Sequence, residues 1–556
     1  MITPRFYGQT THESGGFFMK KRLWLLYGSV FVLFCGLLFR IFTLSDQRLV
    51  KAADRQSKVT VNVGAVRGTF YDRNKKPLVN AETVYRAAVT ANPKALTALS
   101  QVLDADAFST MSKTLQDGRP AVVTLPRPVA APEGISLFQV PLRYADRVLA
   151  PHVLGYTDAD LSKGLTGLES ALDPLLSQFG GRAKVTYAVG ATGKLLEGVA
   201  PTIDNTLSRA NGGAVLTLDA DIQQITEDIA AKYIKKGAVI VMQPQTGDIL
   251  AMASLPSYHP QKVAEVLEDE NAPLLNRALC NYNCGSVFKI VSAATALESG
   301  VNPDTLYTCN GSITVGNTVF HCHNRLGHGL LKMEEAFAKS CNSYFIELVS
   351  GVGGNALWQM ASRLQFNSAI TLHSGYTTAT ATFPQAATLE VPAALANASF
   401  GQGELTASPL HIAQLVSTVV NGGTLVPPRI VLGYVDENGA YTEETQAEQH
   451  QRVFSVKTAA TLRMMMEKVL SDDGTGKSGK PLIGGAGAKT GTAETGWSRT
   501  DDEKYAVVQS WYAGYYPASD PQYVIVVMAE NAQNTDAKTA PVFKEIADTL
   551  YRMEQN

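Results

Sequence analysis

Ser286 and Lys289 stand three residues apart in the word Ser286-Val287-Phe288-Lys289. On a helix that spacing puts a hydroxyl and an amine on one face. A serine hydroxyl is a poor nucleophile until a base within hydrogen-bond reach takes its proton. Lysine serves as that base once burial and nearby cations depress its pKa. Two more words follow in order, Ser340-Cys341-Asn342 and Lys489-Thr490-Gly491-Thr492, and each of the three occurs once. Together they predict a serine acyl-transfer site in which Lys489 is the cation that lowers the pKa of Lys289.

Separate elements must carry these words to one place. Ile290, Val291, Ala293, Ala294 and Leu297 make an apolar, alanine-rich stretch with Gly300 placed to end it. That pattern predicts a helix opening at Ser286, with the hydroxyl at the positive end of the helix dipole. Lys489 follows the small-residue run Gly484-Gly485-Ala486-Gly487-Ala488, which reads as a strand edge that a substrate backbone approaches closely. The runs Ala506 to Tyr512 and Tyr523 to Met528, joined through Pro517 to Pro521, predict neighbouring antiparallel core strands, and Pro541 to Tyr551 predicts a closing helix. From about residue 214 onward the expected fold class is an α/β sandwich around a mainly antiparallel sheet, with the Lys489 strand in that sheet and the Ser286 helix against its edge.

The three words in this order resemble the signatures of penicillin-binding proteins and class A β-lactamases. The chain resembles a class B penicillin-binding protein, a monofunctional peptidoglycan D,D-transpeptidase, from about Arg67 to its C-terminus. Arg67-Gly68-Thr69-Phe70-Tyr71-Asp72-Arg73-Asn74 and Gly164-Leu165-Thr166-Gly167-Leu168-Glu169 are similar to two elements of that family's non-catalytic domain. Leu216 to Asp219 with Gln223, then Gly237 to Met242 and Gly247 to Ala251, look like the first helix and strand pair of the transpeptidase domain. Gly401-Gln402-Gly403, Ser408-Pro409-Leu410 and Asn421-Gly422-Gly423 match a further block. Many relatives read Pro-Gly-Ser-Thr-Phe-Lys where this chain has Cys284-Gly285-Ser286-Val287-Phe288-Lys289, losing a rigid φ and a hydroxyl but no group the chemistry requires.

The resemblance implies that Ser286 attacks the carbonyl of a D-Ala-D-Ala stem peptide while Lys289 takes its proton. It implies that Ser340 relays a proton to the departing amine and that Asn342 hydrogen-bonds Lys289 and the substrate amide. Lys489, Thr490 and Thr492 would receive the terminal carboxylate, with Gly491 between them. The N–H groups of Ser286 and Thr492 would form an oxyanion hole. An amine acceptor then resolves the acyl-enzyme into a cross-link, and β-lactams act as inhibitors by mimicking the donor. A D,D-carboxypeptidase or β-lactamase-type hydrolase and a non-catalytic β-lactam sensor are the alternatives. The family implies a fold of the serine β-lactamase-like kind, no cofactor, and a membrane glycan polymerase of the SEDS type as partner.

The chain of 556 residues, with 45% hydrophobic and 18% charged content, has room for two or more cored domains. Its formal net charge of −2 provides no basic field for a phosphate backbone, so nucleic acid is not an expected partner. Leu23 to Phe39 is an apolar and small-residue run, continued past Arg40 by Ile41-Phe42-Thr43-Leu44; it follows Lys20-Lys21-Arg22 and is long enough to span a bilayer if Arg40 snorkels. The positive-inside count does not orient it, because Arg5, Lys20, Lys21 and Arg22 precede the span while Arg40, Arg48, Lys51, Arg55 and Lys58 lie at its end or follow it. The expected organisation is a cytoplasmic N-terminus (1–22), a single-pass transmembrane anchor (23–44), a mixed β-rich pedestal (45–212) and an extracytoplasmic transpeptidase domain (213–556). Placing that domain outside rests on the inferred substrate.

Six cysteines are present, five of them (Cys280, Cys284, Cys309, Cys322 and Cys341) crowded around the first two words. The turn Gly316-Asn317 is expected to bring Cys309 and Cys322 together, as a disulfide or as two free thiols. His321, Cys322, His323 and His328 fit no standard zinc spacing, so they are expected to be polar loop residues with no metal.

Overall fold

Gly237–Met242 (β1) and Ile249–Leu255 (β2) are built almost wholly of aliphatic and small residues and are buried at every position. Continuous apolar runs of that length are what strands covered on both faces require. In the computed structural model, which describes residues 15–44, 57–190, 192–196, 198–445, 450–498, 506–532 and 536–555, they form one end of a five-stranded sheet. Gly487–Ser498 (β3), Ala506–Tyr516 (β4) and Tyr523–Ala532 (β5) complete it in the order β2-β1-β5-β4-β3. Every pairing is antiparallel. β3 is therefore an edge strand, and its free side is available to other backbone.

Four helices matter for the site: Ala220–Tyr233 (α1), Lys289–Glu298 (α2), Pro409–Val420 (α3) and Asp536–Glu554 (α4). Asp219 caps α1 by accepting from the N–H groups of Asp221 and Ile222, and Ser408 caps α3 by accepting from the N–H of His411. The helices α1 and α4 pack on each other and on the sheet, while α3 lies against β1, β4 and β5. All residues of α3 from Pro409 to Val419 are buried, so it is a core helix and not an amphipathic surface one. The expected antiparallel sheet, its Lys489 edge strand and the closing helix are all present.

The chain divides into two compact units. One comprises residues 1–63, 85–138 and 183–205, the other 64–84, 139–182 and 206–556. Within the first, Pro93–Ser100 and Ala105–Gln116 lay Ala95, Leu99, Met111 and Leu115 against Ala87, Val89, Leu125 and Ile135 of short strands. Within the second, the two segments that resemble the family's non-catalytic elements meet: Arg67 pairs with Glu169 at 3.3 Å and with Asp173 at 2.7 Å. Arg143 donates to Glu169 through Nε at 2.8 Å and to the carbonyl of Gly68 at 2.6 Å. Arg67, Arg143 and Glu169 are almost completely shielded, so each charge depends on the others for solvation.

Gly15–Leu44 forms one continuous helix, and Lys21–Thr43 within it has a mean hydropathy of 2.1 and no buried share. It is long and apolar enough to cross a membrane. Arg5, Arg48, Lys51 and Arg55, which entered the charge count on its flanks, lie outside the described residues.

Candidate active site

Ser286 lies in a 3₁₀ turn, Gly285–Phe288, that runs directly into α2. The sequence predicted that the helix itself begins at the serine. The first turn is tighter because Gly285 takes φ +54° and is pressed from both sides. A Cβ on Gly285 would stand 2.5 Å from the carbonyl oxygen of Thr492 on β3, and one on Gly401 would stand 1.8 Å from the carbonyl of Gly285. Glycine is needed at both positions so that three chain segments can touch. Ser286 remains half-buried while Val287, Phe288 and Lys289 are closed off, which leaves its hydroxyl at an opening.

Lys289 is fully buried, and its Nζ is ringed by oxygen. The distances are 2.9 Å to Ser286 Oγ, 2.8 Å to the carbonyl oxygen of Ser340, 3.1 Å to Ser340 Oγ and 2.6 Å to Asn342 Oδ1. A neutral amine has two N–H donors and one lone pair. The carbonyl of Ser340 and the amide oxygen of Asn342 can only accept, so they take the two protons and turn the lone pair toward Ser286. Burial lowers the Lys289 pKa from 10.5 to about 7, and the Coulomb effect of Cys341 and Cys322 acts in the opposite direction. The sequence reading named burial together with a nearby cation, Lys489; loss of water around the ammonium is the largest cause.

Lys489 approaches through an intermediary. Its Nζ lies 3.1 Å from Ser340 Oγ and donates to the carbonyl of Thr490 at 2.9 Å. The hydroxyl of Ser340 thus stands between the two amines, each at 3.1 Å. To present it, Ser340 adopts φ +52°, a left-handed conformation costly for any residue with a Cβ. Each ammonium position also faces an aromatic ring: Lys289 Nζ is 5.7 Å from the centre of Phe345, and Lys489 Nζ is 5.6 Å from that of Phe337.

Residues 237–548 match the family described as "Penicillin binding protein transpeptidase domain". The chain is 31% identical over 344 residues to peptidoglycan D,D-transpeptidase PbpA of Mycolicibacterium smegmatis, covering 58% of this chain and 67% of that one. It is a class B penicillin-binding protein. Its fold is similar to that of penicillin-binding protein 3 of Mycobacterium tuberculosis complexed with aztreonam, with a TM-score of 0.64, 25% identity, and coverage of 89% of this chain and 97% of the other. It is also similar, with a TM-score of 0.66, 25% identity and coverage of 95% and 97%, to a chain from a structure described as "Structural coordination of polymerization and crosslinking by a peptidoglycan synthase complex".

In this penicillin-binding protein β3 sorts its residues by alternation. Lys489, Gly491 and Ala493 are buried, whereas Thr490 is half-buried and Thr492 exposed. A side chain at Gly491 would start 2.8 Å from Cγ2 of Val287, so the strand can pass over the nucleophile's turn only as glycine. Val287, which stands where many relatives have threonine, fills that contact. Cys284, in place of proline, is fully buried with its thiol pushed up to about 12 by burial, and is therefore inert.

Several supports were not legible in the sequence. Thr475 accepts or donates a 2.8 Å hydrogen bond with Thr490 Oγ1 and bonds Ala338, tying β3 to the segment before Ser340. Trp511 on β4 donates to the carbonyl of Asn283 at 2.9 Å and so anchors the approach to Ser286. No spacing rule marks either residue, because what makes each of them a support is a hydrogen bond to a backbone carbonyl more than a hundred residues away.

The cysteines depart from one expected option. Ser312–Val315 and Thr318–His321 form the anticipated hairpin about Gly316-Asn317, yet Cys309 and Cys322 are free, as are the other four. Their thiols do not face each other alone, since His328 and Cys341 share the same space.

Proposed function

We infer that this protein is a peptidoglycan D,D-transpeptidase that works through a serine acyl-enzyme and is acylated by β-lactams. The observation that carries the reading is the 2.9 Å approach of an uncharged-capable Lys289 to Ser286, with its two N–H bonds already committed elsewhere.

The roles of the individual residues follow from their surroundings. Lys289 accepts the proton of Ser286 as the hydroxyl attacks the donor carbonyl. Ser340, touching both amines, passes a proton toward the leaving D-Ala nitrogen. Asn342 fixes Lys289 through Oδ1, and of the two N–H bonds of its Nδ2 one is given to the carbonyl of His321 at 3.4 Å while the other serves a substrate carbonyl. The N–H groups of Ser286 and Thr492 form the oxyanion hole, a reading supported by the close approach of Gly285 to the carbonyl of Thr492. Thr490 and Thr492 meet the terminal carboxylate, and buried Lys489 supplies positive charge beneath them. A D,D-carboxypeptidase would share every step up to deacylation, so the choice of amine over water as acceptor belongs to the same proposal.

The 23-residue span Lys21–Thr43 anchors the protein as a single pass, and the catalytic unit faces outward where its substrate is. A membrane glycan polymerase of the SEDS type is the proposed partner, supported by likeness to a chain of a peptidoglycan synthase complex. The test uses the full chain in detergent. Fluorescent penicillin should label it, and it should release D-Ala while joining two stem peptides. Labelling that survives in Ser286→Ala refutes the nucleophile, and labelling without peptide turnover favours a sensor.

A further inference from the structure

Beside the acyl-transfer site, and unused by it, lie four groups with soft donor atoms. Cys309 ends the strand Tyr307–Cys309, Cys322 follows the hairpin strand Thr318–His321, His328 precedes the strand Gly329–Leu331, and Cys341 is the middle residue of the Ser340-Cys341-Asn342 word. Their ligand atoms all lie within 4.8 Å of one another. The three cysteines are at most 1% exposed.

We propose that Cys309, Cys322, His328 and Cys341 bind one zinc ion as a closed structural site. A tetrahedron with Zn–S of about 2.3 Å and Zn–N of about 2.0 Å has S–S edges near ~3.8 Å and S–N edges near ~3.5 Å. Here Cys322 Sγ to Cys341 Sγ is 3.9 Å, Cys309 Sγ to His328 Nδ1 is 3.7 Å, and Cys322 Sγ to His328 Nδ1 is 3.5 Å. Three of the six edges have the length the ion would impose. Three thiolates and one imidazole select zinc over the harder divalent cations.

The surroundings supply what such a site needs. Backbone N–H groups of Asn324 and Asn342 donate to Cys322, that of Tyr344 donates to Cys341, and Ser343 Oγ lies 3.8 Å from Cys309 Sγ. The N–H donors orient thiolate ligands and spread their charge, and the Ser343 hydroxyl, which accepts from the Cys309 thiol, turns to donate once that sulfur is a thiolate. The loops interlock through glycine: a Cβ on Gly311 would stand 2.1 Å from the carbonyl of Arg325, and one on Gly327 would stand 2.2 Å from that of Cys309. The sequence reading weighed His321, Cys322, His323 and His328 and left out Cys309 and Cys341. The set chosen by the fold runs Cys-x12-Cys-x5-His-x12-Cys.

A disulfide between Cys322 and Cys341 is the competing use of these groups. It would need the sulfurs to close from 3.9 Å to about 2.05 Å and would strand Cys309 and His328. Zinc employs all four. Because Cys341 lies between Ser340 and Asn342, the ion would brace the left-handed turn that presents both side chains to Lys289.

The test is metal analysis of the full chain in detergent, purified without chelator and dialysed against metal-free buffer. About one zinc per chain is expected, released by a mercurial thiol reagent, with X-ray absorption showing three sulfurs and one nitrogen around the ion. Cys309→Ser and His328→Gln should each retain less than a tenth of that zinc after dialysis. The Ser286→Ala chain should retain all of it, so this result is independent of the transpeptidase reading. A metal-free wild-type chain, a Cys322–Cys341 disulfide found by mass spectrometry, or stoichiometric iron or copper in place of zinc would each overturn the proposal.

Discussion

Raising the pH from 5 to 8 should switch on acylation of Ser286 by turning buried Lys289 from ammonium into amine. Only the neutral form has a lone pair for the serine proton, and burial brings the midpoint to about 7. With that midpoint the neutral fraction is about 1% at pH 5, about 10% at pH 6 and about 90% at pH 8, a rise of roughly 90-fold. A lysine at its ordinary pKa of 10.5 would be neutral in only ~3 molecules of 10,000 at pH 7, so burial supplies about 10³ times more base there. The sign is fixed by the cause: desolvation opposes the charged form, so reactivity is lost as pH falls through the folded pKa. The assay is the second-order rate constant for labelling by fluorescent penicillin, which reports the free enzyme, with circular dichroism confirming the fold at each pH. A rate that still climbs tenfold per pH unit at pH 9 would refute the depressed pKa. A flat profile from pH 5 to 8, or one that falls as pH rises, would refute Lys289 as the base.

Ser340→Ala removes the hydroxyl 3.1 Å from both amines and should slow acylation by about 10²–10⁴ without abolishing β-lactam binding, measured by stopped-flow labelling. Glu169→Gln leaves Arg67 and Arg143 as buried charges without their shared carboxylate, and should cost ~3–5 kcal/mol in thermal or denaturant unfolding while the labelling rate of the folded fraction is unchanged. Cys284→Pro should be tolerated, with stability unchanged or raised by up to ~1 kcal/mol, because Cys284 already has φ −77° and Asn283 before it is in a strand. An acylation rate lowered more than tenfold in that variant would contradict the compatibility argued from these angles.

The sequence by itself determined the reactive chemistry and the main elements. The i, i+3 spacing of Ser286 and Lys289 survives whether the turn is α or 3₁₀, because both conformations put those positions on one side. The largely apolar runs at 237–242, 506–512 and 523–528 could be read as strands because a sheet covered on both faces demands such runs. Tertiary structure alone decided what depends on distant chain segments. How far burial depresses Lys289 is set by how completely the fold excludes water around Nζ, which no local spacing encodes. Likewise Cys309, Cys322, His328 and Cys341 span 33 positions of sequence, and only the hairpin and the interlocked loops bring their donor atoms within 4.8 Å.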